Sequence, residues 1–163
     1  MFEGIVRSIL IGAGATLLVD LWALVQTWAF GAPAANWALV GRWFGGFPQG
    51  HFISENTGKS PAVRSELAIG WIAHYFIGIA YAALLLAICG LAWARQPTLL
   101  PALIFGVLTV AAPFFLMQPG LGMGVAASKT PNPGAARWRS LMAHTIFGLG
   151  LYLSARISAP LIP

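Results

Sequence analysis

From Leu67 to Ala94 the chain carries no Lys, Arg, Asp or Glu. At 1.5 Å per residue, a helix over that run is longer than the ~30 Å hydrocarbon layer of a bilayer. A segment inside lipid must satisfy its own backbone N–H and C=O groups, so only helices and closed barrels can span. The run does not alternate polar and apolar residues as a barrel strand does, and helix is the reading. Composition agrees. The chain is 58% hydrophobic and 8% charged, whereas a soluble domain needs roughly a quarter charged residues to cover its surface.

Three further runs share this character. The expected spans are about 8–31, 67–93, 98–118 and 139–157. The fold class is therefore an all-α membrane protein, a four-transmembrane-helix bundle forming one domain over 1–163. The run after Arg7 could pass for a secretory leader ending at Ala32-Pro33-Ala34. Its length and Asp20 at its middle make it a retained span instead. Only Arg95-Gln96-Pro97 separates the second and third spans, which gives a tight antiparallel hairpin. Pro101 sits in a first turn, where it is tolerated, while Pro113 is interior and is expected to kink its helix. The fourth span is short, and Arg139 and Arg156 extend its reach by snorkelling.

Four crossings put the long loops 32–66 and 119–137 on one face, opposite both termini. Arg42, Lys59, Arg64, Lys129, Arg137 and Arg139 fall on the long-loop face, against Arg7, Arg95 and Arg156 on the other. The positive-inside rule then places the long loops in the cytoplasm. Cationic loops beside spans also account for the net charge of +5 without a nucleic-acid partner. The partner implied is the lipid bilayer, and homo-oligomer and monomer both stay open. The single Cys89 lies in an apolar run and reads as packing. Trp37, Trp43, Trp93 and Trp138 are interfacial anchors.

Two stretches match at an offset of 70. Lys59-Ser60-Pro61 aligns with Lys129-Thr130-Pro131, and Ala73-His74-Tyr75-Phe76-Ile77-Gly78 with Ala143-His144-Thr145-Ile146-Phe147-Gly148. Chance similarity of apolar helices is one explanation. The other is two pseudo-symmetric helix-loop-helix halves, related by an axis along the membrane normal, with His74 and His144 as mates.

Ionisable groups inside spans are costly unless they face a partner or a wet cavity. Asp20, His74 and His144 are such groups, and Met117 and Gln118 close the third span at the same end. Small residues four apart flank each of the three: Gly12 and Thr16 before Asp20; Gly70, Gly78 and Ala82 about His74; Ser140 and Gly148 about His144. Together Asp20, His74, His144, Gln118 and Met117 form the expected buried polar site. Arg42, Arg64, Lys129, Arg137 and Arg139 are candidates for holding an anion.

The strings Gly14-Ala15-Thr16-Leu17-Leu18-Val19-Asp20-Leu21-Trp22, Gly70-Trp71-Ile72-Ala73-His74-Tyr75, Ala112-Pro113-Phe114-Phe115-Leu116-Met117-Gln118-Pro119-Gly120, Ser128-Lys129-Thr130-Pro131-Asn132-Pro133 and His144-Thr145-Ile146-Phe147-Gly148 resemble a bacterial membrane-protein family catalogued as a domain of unknown function, number twenty-nine thirty-eight. The resemblance covers nearly the whole chain. It implies a bacterial inner-membrane location and supplies no activity, cofactor or catalytic residue.

Four readings of the polar site follow. It is a hydrogen-bonded core that pins helices. It is a proton- or substrate-coupled transporter, since a lone carboxylate in the first of four helices looks like the arrangement in small multidrug exporters. It is a metal or haem site, with Asp20, His74 and His144 as the ligand candidates. Or it is a lipid-acting enzyme, a reading weakened by the lack of a paired nucleophile and base; no catalytic residue is assigned, and the balance is against an enzyme. Transport is the best functional reading. The topology is directly testable: reporter fusions at the two termini should agree with each other and disagree with fusions between residues 45 and 60, and disagreement between the termini removes the four-span arrangement.

Overall fold

The computed structural model describes residues 2–162. Among them there are five helices and no strand: α1 Phe2–Phe30, α2 Trp37–Gly45, α3 Glu66–Arg95, α4 Leu99–Gly120 and α5 Pro133–Ser158. Helices α1, α3 and α4 are long and apolar enough to cross a membrane. The fourth expected span, 139–157, lies within α5, which is long enough but does not reach the same apolarity.

Local chemistry explains where the helices begin and end. After α1, Gly31 takes a left-handed conformation (φ 61°), its N–H bonds to Thr27 O at 3.1 Å, and that of Ala32 bonds to Gln26 O at 3.2 Å. The bond from Gly31 to Thr27 is that of the αL helix stop. Asn36 caps α2 by accepting from Leu39 N, and Asn132 caps α5 by accepting from Ala135 N. Pro133 then occupies the first helical position, which it favours. That pairing starts α5 six residues before the expected 139. In α4 the regular helix loosens at Thr109 and Val110 and widens to a π-turn over Pro113–Met117. Pro113 has no N–H to give to the Thr109 carbonyl, so the expected distortion takes this form. Gly90 (φ 77°, ψ 165°) interrupts α3, an irregularity that the unbroken apolar run concealed.

The chain divides into two compact units. The first gathers the segment up to Ala34, Tyr75–Thr109, and the segment from Met142. Within it, neighbouring helices alternate in direction: Gly12 meets Ile79 and Asp20 meets Tyr75; Trp93 donates to Thr98 O; Gly106 meets Gly148 and Thr109 meets His144. A Cβ on Gly12 would collide with the Ile79 backbone, one on Gly106 with the Gly148 backbone, and one on Gly150 with Ala15. Between helices that face lipid there is no hydrophobic drive, and such close backbone approach supplies van der Waals packing. Ile11, Ala15, Ala82, Leu85, Phe147, Leu151 and Ala155 fill the centre. Meanwhile Leu21, Leu24, Phe76, Leu84, Ile88, Leu100 and Ile104 point outward.

Helix α5 touches all three neighbours in this unit, through Gly150 and Ser154 to α1, Phe147 to Tyr81 of α3, and Gly148 to α4. Its apolarity is lowered by Arg137, Arg139 and Arg156, all of them exposed.

Arg7 is fully buried in the same unit. Its Nε donates to Glu3 Oε1 at 2.8 Å, Nη1 to Ala94 O at 3.2 Å, and Nη2 to Ile162 O. Arg95 closes the network on Glu3 at 2.7 Å.

The second unit holds Ala35–His74 and Val110–Leu141. Here α2 lies against the start of α3, with Gly41 on the Glu66 carbonyl and Gly70 on the Trp37 carbonyl. Arg42 binds Glu66 in bidentate fashion at 2.7 and 2.8 Å, and its Nη1 donates to Ser60 O at 3.0 Å. The two long loops meet where Ser54 N donates to Gly120 O at 3.0 Å and where Trp43 covers Gly120.

The backbone contact at Gly106 yields a prediction. Gly106→Val should lower stability by about 3 kcal/mol, the upper range for overpacking, and the melting temperature in detergent should fall accordingly. Gly4→Ala, whose Cβ would meet only Leu91 at an ordinary 3.7 Å, should melt like the parent; equal melting of both variants would mean that close approach does not set the packing.

Candidate functional site

Asp20 stands two-thirds of the way along α1, on the stripe of Gly12 and Thr16. Tyr75 Oη donates to its Oδ2 at 3.0 Å, a bond between α1 and α3. The stripe itself is buried, with Thr16 against Gly78. His144 reaches α4 from α5, its Nδ1 lying 2.8 Å from Thr109 Oγ1. Thr109 is 8% exposed and its hydroxyl also bonds Gly106 O at 2.6 Å. Ala15 packs on Gly150 and Gly14 on Ser154.

In the second unit, the His74 ring stacks on Trp37, with centroids 3.9 Å apart and planes at 30°, while Trp71 presents its edge at 5.8 Å. Gln118 is 4% exposed, donates from Nε2 to Ser140 Oγ at 3.1 Å, and has no partner for Oε1. Met117 closes the π-turn, and its carbonyl accepts from Leu121 N at 2.9 Å.

Asp20 and His144 belong to the first unit; His74, Met117 and Gln118 belong to the second. Among the described residues no three His, Cys, Asp or Glu side chains are gathered as a metal ion requires. Of the cationic candidates, Arg42 spends its donors on Glu66 and on loop carbonyls, and its pairing with Glu66 raises its pKa above the ordinary arginine value. Arg137 donates from Nε to Ala126 O at 2.8 Å. Arg64, Lys129 and Arg139 are exposed.

Four partners went unmarked as site residues in the sequence: Tyr75, Thr109, Ser140 and Trp37. Tyr75 adjoins His74 and Ser140 shares a stripe with His144, so helical spacing offered both. Thr109 is marked only by its place four residues before Pro113, where the helix must open. Trp37 is brought to His74 by the α2 contact, which no local pattern announces.

What the first unit offers chemically is a carboxylate with a phenolic donor, and an imidazole with a hydroxyl, both on helices that pack through glycine. These are acid–base groups with fixed partners. Comparison with curated proteins and with solved structures returns no match. One family model, described as a protein of unknown function (DUF2938), matches residues 9–158. Asp20, His74, Thr109, Gln118 and His144 all fall inside the match, and the chain belongs to that family.

Proposed function

We propose that this chain is a four-span protein of the bacterial inner membrane, with its long loops in the cytoplasm, and that it works as a small proton- or substrate-coupled transporter. The observation that carries the reading is the Asp20–Tyr75 contact: an ionisable carboxylate two-thirds along a helix able to cross a membrane, tethered by a phenol on the facing helix. An intramembrane carboxylate is expensive, and its retention points to ion or substrate handling.

The two-half arrangement belongs to the same proposal. Gly78 and Gly148, mates at the offset of 70, each pack on a helix that carries a Gly and a back-bonded Thr. In α1, Thr16 Oγ1 donates to Gly12 O at 2.8 Å; in α4, Thr109 Oγ1 donates to Gly106 O at 2.6 Å. Repeated helix pairs of this kind suit alternating access.

The second reading is a structural polar core, favoured by the Gln118–Ser140 and Thr109–His144 bonds between α4 and α5. Such interhelical bonds contribute about 0.6 kcal/mol each.

Asp20→Asn separates the two. It keeps the volume and an acceptor for Tyr75, so its melting point should stay within a shift equivalent to about 1 kcal/mol. For a transporter, the variant reaches the membrane at parental levels yet fails to complement the phenotype of a chromosomal deletion, and Asp20→Glu restores part of it. Full complementation by Asp20→Asn removes the transport reading and leaves the structural one.

A further inference from the structure

The hydroxyl of Thr109 has one hydrogen and two neighbours. Gly106 O, at 2.6 Å, is a carbonyl and can only accept. Were the hydroxyl hydrogen turned to His144 instead, two oxygen lone pairs would face each other at that distance inside a buried helix contact. The hydrogen therefore lies on the line to Gly106 O. The 2.8 Å contact between Thr109 Oγ1 and His144 Nδ1 then needs its hydrogen from the ring, because the oxygen has none left to give.

From this we infer that Thr109 is a positioning residue that fixes neutral His144 as the Nδ1–H tautomer, so that Nε2 carries the lone pair and is the ring's proton-accepting atom. A histidine's free nitrogen is defined by the bond its other nitrogen makes. When Nε2 takes a proton from a donor, the ring becomes an imidazolium and the Nδ1–H to Thr109 bond is kept. Neither the hydroxyl nor the ring has to turn between the two states. A threonine whose hydrogen is already committed to its own helix is a permanent acceptor, unlike a free hydroxyl that could serve either tautomer.

The placement of Thr109 explains how the contact arises. It sits four residues before Pro113, where α4 loosens ahead of the π-turn. Its neighbour Gly106 lies on the Gly148 backbone, bringing α5 close enough for His144, one turn away, to reach the hydroxyl. The functional weight of the inference rests on the proton-coupled reading of the site, whereas its geometry does not.

The test uses the full chain, labelled with 15N-histidine and reconstituted in lipid bilayers, by solid-state NMR. At mildly alkaline pH an imidazole is neutral. The spectrum should show a protonated Nδ1 and an unprotonated Nε2 for His144, identified as the signals lost in His144→Gln and thereby separated from His51 and His74. Thr109→Ser should preserve that pattern. Thr109→Val should cut the ratio of Nδ1–H to Nε2–H roughly tenfold, the factor set by one hydrogen bond of about 1.4 kcal/mol. An Nε2–H or doubly protonated ring in the parent overturns the inference, as does an unchanged ratio in Thr109→Val. If Thr109→Val does not fold, the parent and Thr109→Ser spectra decide the tautomer. A transport failure and a tautomer failure stay distinct, because complementation by Asp20→Asn reads the first and the ring nitrogens read the second.

Discussion

Backbone lying on backbone is the contact from which the first unit follows. Gly12 on Ile79, Gly106 on Gly148 and Gly150 on Ala15 bring helices together at distances that any side chain would prevent. Where helices face lipid, dispersion and interhelical hydrogen bonds replace the hydrophobic drive, and both need short range. Once helices are this close, short polar side chains reach across. Thr109 can meet His144, and Tyr75 can meet Asp20, because the glycines set the separation.

The same closeness divides polar groups by task. Thr16 turns its hydroxyl back to its own helix and offers Gly78 a packing surface. Thr109 makes the equivalent bond and adds a partner on α5. Arg42 and Glu66 hold a loop helix against α3 with a fork of two bonds, which gives orientation as well as attraction. In the second unit, loop cations therefore differ in kind: Arg42 belongs to the scaffold, while Arg64, Lys129 and Arg139 face outward.

Helical character and the three most apolar helices were legible in the sequence because the signal is a run of composition, averaged over many residues. The stripes were legible because spacing by four is a property of any helix, and Gly12, Gly78 and Gly148 make close contacts. Pro113 announced its own disturbance. The start of α5 was obscured because Arg137 and Arg139 hide the Asn132-Pro133 start signal within a cationic stretch. The break at Gly90 was hidden for the opposite reason, since glycine is tolerated in apolar helices and one φ value leaves no pattern. The meeting of Trp37 with His74 depends on how α2 lies on α3, a long-range contact that periodicity cannot carry.

Buried Arg7 has a bearing on biogenesis. Its guanidinium draws on Glu3 within its own helix, on Ala94 much later in the chain, and on Ile162, 155 residues away. While the ribosome has delivered only α1, two of these acceptors do not yet exist, and a cation that later becomes fully enclosed must stay hydrated at the bilayer edge. Enclosure waits for the distal segment to arrive. Residues 155 positions apart are thereby joined by a non-covalent clasp that can close only after the segment around Ile162 has been made.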